Sequence, residues 1–160
     1  MNRRQIALKL VLAELGIRAT MESFDDRLIL QKAVYLAQQA GIPLGYHYYW
    51  YLRGPYSREL TADAFATLTE APAGWSLDQR SKRKLAKLKT FFREFKSGSS
   101  KVRAFEMFAS VLFAVVTGQA QATNAAGITK LMRTAGKNFT EKEVNAAVQR
   151  LRDQGLLPTV

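Results

Sequence analysis

Ten lysines and arginines lie between Gln79 and Arg103, against one acidic residue, Glu94. Ten positive charges less one negative give this segment +9 of the chain's formal +11, so everything else supplies only +2. Such a density of cations can neutralise phosphates. Arg80, Lys82, Arg83, Lys84, Lys87, Lys89, Arg93 and Lys96 are the candidate nucleic-acid contacts. The same run also reads as the solvated face of a helix that keeps the protein in solution.

The second grouping is "GYHYYWYLRGPYS", residues 45–57, with five tyrosines and a tryptophan in thirteen positions. Such residues can stack on the flat or apolar groups of a partner, or they can bury a strand between helices. In an extended chain Tyr46, Tyr48 and Trp50 share one face, and His47, Tyr49 and Tyr51 the other. Both faces are aromatic, so the strand is covered on both sides or presents one face to a partner. The pattern predicts Tyr48 and Trp50 largely buried against the helix carrying Tyr35. Tyr49, Tyr51, Arg53, Tyr56 and Arg58 form the candidate partner-binding set. "RGPYS" reads as a turn at Gly54-Pro55, because proline fixes its own φ and restricts the residue before it.

No catalytic constellation stands out, and the expectation is a protein that is not an enzyme and carries no cofactor or metal. There is no cysteine and a single histidine, His47. Disulfides, thiolate metal sites and histidine clusters are thereby removed, and a reducing cytoplasm is the natural compartment. His47 has no obvious acid or nucleophile beside it and reads as packed or hydrogen-bonded. Asp25-Asp26, an adjacent pair, points about 100° apart on a helix and suits N-terminal capping and dipole complementation. Glu106 lies inside an apolar helix, where a carboxylate paired with Arg103 or with another helix fits better than a general base. The glycines are scattered and form no phosphate loop.

The elements that must position these groups are mostly helical. Ile6, Leu10, Val11, Ala13 and Leu15 mark a first helix ended by Gly16. A second runs from about Asp26 to Ala40, capped by Ser23 or Asp25 and ended by Gly41 and Pro43. It is apolar on more than one side and therefore central. Ser57 caps a helix from Arg58 to about Thr69. Another runs from about Leu77 to Lys96, with Leu85, Leu88, Phe92 and Phe95 as its buried stripe. "VRAFEMFASVLFAVVTG" is the most hydrophobic helix and is too short in its apolar run to span a bilayer. Helices near 124–134 and 141–154 close the chain, the last with a Thr140/Glu143 capping box and Gly155 after its end. These two form a helix-turn-helix-like unit, although "AGKNFT" is a long turn and the mixed charges of the last helix suit packing better than base readout. The fold class is thus mainly α: one domain over 1–160, six to seven helices and one short aromatic hairpin or strand. "SGSS" at 97–100 divides candidate lobes 1–97 and 101–160.

Two of these stretches together resemble a known pattern. "LILQKAVYLAQQAG" followed by "YYWYLRGPYSREL" is similar to the Panacea-domain proteins and the related YwgA-like group: L-Q-K-x-x-Y-L, an aromatic strand, then a Gly-Pro-aromatic turn. Leu30, Gln31, Lys32, Tyr35 and Leu36 carry the first part, and Tyr48, Tyr51, Arg53, Gly54, Pro55, Tyr56 and Ser57 the second. "FTEKEVNAAVQRLRDQGLL" is similar to their closing helix. The resemblance covers about 26–65 and 104–157 and leaves out the basic helix. It implies a helical prokaryotic domain with a short hairpin, found in toxin–antitoxin pairs and phage-defence loci, that binds a protein and is not an enzyme. The expected function is an antitoxin-like or defence-associated accessory subunit holding a protein partner and touching nucleic-acid backbone through 80–96. The alternative is a stand-alone transcriptional regulator that uses the C-terminal unit on nucleic acid.

Overall fold

Helix starts in this chain are set by short polar side chains. In the computed structural model, which describes residues 1–95 and 98–158, seven helices are seen among the described residues: α1 (Arg3–Leu15), α2 (Phe24–Gln39), α3 (Arg58–Ala66), α4 (Gln79–Arg93), α5 (Ser99–Val116), α6 (Ala125–Thr134) and α7 (Glu141–Asp153). Asn2, Ser23, Ser57, Asp78, Asn124 and Thr140 each accept the backbone N–H three residues on, the N-cap bond that satisfies an otherwise orphaned donor. The Thr140/Glu143 capping box is present. Ser23 is the cap of α2, so that helix begins at Phe24 rather than Asp26, and Asp25 and Asp26 complement the dipole from the first turn instead of capping it. Asp78 likewise starts α4 two residues later than its apolar spacing suggests.

The mainly helical class with one short hairpin is the observed one. Strands β1 (Tyr49–Tyr51) and β2 (Gly54–Tyr56) pair antiparallel, with Tyr49 opposite Tyr56, Trp50 opposite Pro55 and Tyr51 opposite Gly54. The turn is therefore Leu52-Arg53, and the expected turn at Gly54-Pro55 is corrected. Those two residues are strand. Pro55 is tolerated there because a two-stranded ribbon does not need its missing N–H.

Packing builds outward from α2 and α5, which lie against each other and clasp β2. α7 and α6 cover α5, while α4 packs on α1. Phe92 meets Phe105 at 4.8 Å between ring centroids, and Phe91 meets Phe108 at 4.9 Å, so residues on both sides of the 97–100 break share one core. On α1 the buried stripe is Leu8, Val11, Leu12 and Leu15, whereas Ala13 is exposed. On α4 Phe91 joins Leu85, Leu88 and Phe92, and Phe95 is half-buried.

The aromatic strand buries one face, as alternation predicts, but less deeply than expected. Tyr46 is buried, Tyr48 and Trp50 are half-buried, and His47, Tyr49 and Tyr51 are exposed. Tyr48 meets Tyr35 edge-on at 4.9 Å. Trp50 packs instead on Phe113 of α5 at 5.1 Å, with its indole N–H donated to Gln119. Its wet outer edge explains why burial stops halfway.

Candidate functional site

Two neighbouring side chains of α2 lock the hairpin. Gln31 forms a two-way amide clamp on Ser57: its Nε2 donates to the Ser57 carbonyl at 2.8 Å, and the Ser57 N–H donates to its Oε1 at 2.9 Å. Lys32 Nζ donates to the Pro55 carbonyl at 2.8 Å. From the other side Lys137 Nζ donates to the Leu52 carbonyl at 3.0 Å and to Glu106 Oε1 at 3.0 Å. Arg53 at the hairpin tip reaches the second oxygen of Glu106 at 3.4 Å. The Gln-Lys and Gly-Pro stretches, distant in sequence, thus meet through hydrogen bonds.

Glu106 is a paired carboxylate, as its place in an apolar helix suggests, but Arg103 is not its partner. Arg103 bonds Glu143 at 2.9 Å and lies over Phe139. His47 bonds Glu59 at 3.2 Å and is largely exposed, so it is hydrogen-bonded but not packed.

Beside the hairpin lies a groove of about 560 Å³ between the start of α2, the strands and the start of α3. All five residues of the partner-binding set, Tyr49, Tyr51, Arg53, Tyr56 and Arg58, line it. α2 contributes Phe24, Arg27, Leu28, Gln31 and Lys32. These recur at i, i+3, i+4, i+7 and i+8, one face of a helix. That spacing groups them on one face of α2 in the sequence, but does not show that this face meets the hairpin. Leu52 at the tip is 78 % exposed and Tyr51 59 %, so large apolar surface faces solvent here. Four cations line the groove (Arg27, Lys32, Arg53 and Arg58), and among the described residues no carboxylate does. Arg53 lies over Phe24 and Arg58 over Tyr49, each 5.6 Å from the ring centroid, which leaves guanidinium edges for a ligand.

Lys32 is only 3 % exposed. Burial pushes its ammonium down to about 7; the attraction of Glu106 opposes this, and Lys137 and Arg53 add to it. An unfolded lysine titrates near 10.4, so above about pH 7 the unfolded chain holds this proton more tightly than the folded one. The burial cost is fully present below about 7 and is relieved as pH rises. Wild type should gain about 1–2 kcal/mol between pH ~7 and ~8.5 relative to Lys32→Met. Urea midpoints of both proteins across that range are the check; parallel curves would contradict a buried, titrating Lys32.

The basic set is elsewhere, since no α4 residue lines the groove. Arg80, Arg83, Lys87 and Arg93 are exposed, and Lys82, Lys84 and Lys89 half-buried. Arg80, Arg83 and Lys87 follow one ridge at i, i+3 and i+7. Lys84 reaches the Gly41 carbonyl at 3.5 Å, and Lys89 lies over Gly16, so both sit at helix C-terminal ends where cations complement the dipole. Lys96 lies outside the described residues. In the C-terminal unit, Arg150 of α7 pairs with Glu94 and Asp153 and covers Phe91. Val144, Ala147, Val148 and Leu151 bury its other face.

Among the described residues, no group of histidine, aspartate or glutamate side chains could hold a metal ion, and no helix is long and apolar enough to cross a membrane. Comparison with family models, curated proteins and solved structures finds no match to this chain.

Proposed function

We propose that the chain is a non-enzymatic binding protein that holds a protein partner in the groove beside the hairpin, as an antitoxin-like or defence-associated accessory subunit. One observation supports the binding role above all: a contiguous surface of Phe24, Tyr49, Tyr51 and Leu52, exposed to solvent, sits among four cations on a rigidly tied hairpin. Exposed apolar surface rimmed by charge is the usual mark of a protein interface, and a locked scaffold lowers the ordering cost of binding. The accessory-subunit role rests on the resemblance of the Gln-Lys and Gly-Pro-Tyr stretches. The test is reconstitution. The protein that co-purifies with the tagged chain is purified and titrated against wild type, Leu52→Glu, and an Arg80, Arg83, Lys87→Glu triple variant. Leu52→Glu, at a tip outside the core, should weaken binding at least ~tenfold, a hot-spot-sized loss, and the triple variant should not. The opposite pattern would remove the groove from the interface.

The exposed ridge Arg80, Arg83 and Lys87 supports a second reading, contact with nucleic-acid backbone through α4. With three or four phosphate contacts, including Arg93, the log–log salt slope on duplex DNA should be about −3 to −4, with little sequence preference. The triple variant should lose this binding. Equal binding by both proteins at low salt would leave α4 a solvated face.

A further inference from the structure

Among the described residues Lys32 is a buried cation without a counter-ion of its own. Its hydrogen bond among the described residues goes to a neutral acceptor, the Pro55 carbonyl. The carboxylate acting on it, Glu106, is already paired with Lys137 and Arg53, which leaves three cations around one anion. A buried ammonium in that position costs the fold stability. The Pro55 carbonyl does not require a lysine, since a neutral donor such as the Gln31 amide serves the neighbouring Ser57 carbonyl. Lys137, Glu106 and one side of Arg53 line a separate pocket with Asp25 and Arg103, whereas Lys32 opens on the groove, where Arg27, Arg53 and Arg58 stand with it beside Phe24, Tyr51 and Leu52.

We infer that the groove recognises a carboxylate next to an aromatic or apolar side chain on a peptide segment of the partner, with the carboxylate as the missing counter-ion of the Lys32 and arginine cluster. This rests on the protein-partner reading above and names the chemistry of that partner. Phe24, Tyr51 and Leu52 take the apolar neighbour, while the guanidinium edges of Arg53 and Arg58 suit a carboxylate held in two-point fashion. The volume, about 560 Å³, admits a few side chains. A nucleic-acid strand fits less well. Asp25, Asp26 and Glu59 are the chain neighbours of the groove residues Phe24, Arg27 and Arg58, and their negative charge disfavours a run of phosphates.

Ligand binding is coupled to the proton on Lys32. The charged groups facing it are Glu106 from α5, Lys137 from the segment after α6 and Arg53 from the hairpin. A bound carboxylate raises the Lys32 pKa, so the complex takes up a proton when formed above about pH 7. Affinity is then highest below about 7 and falls as pH rises, by about tenfold between pH ~6.5 and ~8.5. The acidic peptide groups titrate far below this window.

The experiment pans a random heptapeptide library on the full chain, then titrates selected peptides by fluorescence polarisation. Selected sequences should be enriched in aspartate or glutamate beside an aromatic or large aliphatic residue. Replacing their carboxylates by amides should weaken binding at least ~tenfold, as loss of a charge-assisted contact does. Lys32→Gln should remove the pH dependence. Arg58→Glu, an exposed change that leaves the hairpin ties in place, should abolish binding even if Lys32→Gln folds poorly. Selection with no acidic enrichment, amide peptides that bind equally, no selection at all, or a single-stranded oligonucleotide that outcompetes the peptides would each overturn the inference. If Leu52→Glu still disrupts the reconstituted partner complex while the peptides show no acidic preference, the groove stands and the carboxylate chemistry falls. If Leu52→Glu has no effect on that complex, the groove reading itself falls.

Discussion

Glu106→Gln is expected to destabilise the protein by about 3–5 kcal/mol at neutral pH, the usual cost of removing one charge from a buried ion pair. The side chain of Lys137 is 2 % exposed and that of Glu106 11 %, so both are largely withdrawn from water at the base of a pocket of about 360 Å³. Arg53 contributes less, since its side chain is 55 % exposed and solvent screens it. Total stabilities of small domains are about 5–15 kcal/mol, so the variant should sit near the edge of folding. The loss should also depend on pH in a defined direction. Attraction to Glu106 works against burial and holds the Lys32 ammonium's pKa up. That part of the loss is fully present below about pH 7, where Lys32 is charged, and fades at higher pH as the folded protein's Lys32 becomes neutral. Urea melts at pH ~6.5 and ~8.5 would show a smaller difference from wild type at the higher pH. A Glu106→Leu, Lys137→Met double variant should recover part of the loss, because it removes the most buried pair together, although the Leu52 carbonyl then lacks its donor and Arg53 and Lys32 lack Glu106. A Glu106→Gln midpoint within error of wild type would show that the cluster is open to water.

The helices were legible because local chemistry decides them. Ser57 and Thr140 announce their caps, and apolar spacing places Leu85 and Leu88 inward. The hairpin turn was misplaced because Gly-Pro is the stronger local turn signal. What overrules it is tertiary: Lys32, Lys137 and the Gln31 clamp hold the backbone of Leu52, Pro55 and Ser57 in a ribbon, and no window of sequence shows that. The same holds for the site. Tyr49, Tyr51, Arg53, Tyr56 and Arg58 could be grouped from one stretch. Phe24, Arg27 and Lys32 could not be joined to them without knowing which face of α2 meets the hairpin. The basic helix was conspicuous in composition, yet Lys84 and Lys89 turn toward helix ends, so charge count overstated the cationic surface available to a partner.

Gly54→Ala should be the most damaging single-methyl change in the hairpin, and its cost separates into two parts. Gly54 has φ +102°, a backbone conformation that residues with a Cβ rarely adopt. Occupying such a region with an L-residue costs roughly 1–2 kcal/mol. The added Cβ would also come within 2.4 Å of Ser110 Oγ on α5, far inside van der Waals contact, with Lys32 Cε next at 3.6 Å. Overpacking of this kind adds about 1–3 kcal/mol, since either the serine rotates or β2 lifts off α5. The total, about 2–5 kcal/mol, is measured as a urea midpoint shift. Ser110 separates the parts. Its hydroxyl is buried and makes no hydrogen bond among the described residues, so Ser110→Ala alone should be near neutral or stabilising. In the double variant the nearest Ser110 atom becomes Cβ at 3.6 Å, an ordinary contact. The steric part should then disappear and the backbone part remain, giving a coupling of about 1–3 kcal/mol between two residues 56 positions apart in sequence. A coupling near zero would mean that β2 does not rest on α5 at Gly54. The Lys32 bond to Pro55, one residue along, would then have no fixed geometry to offer a ligand.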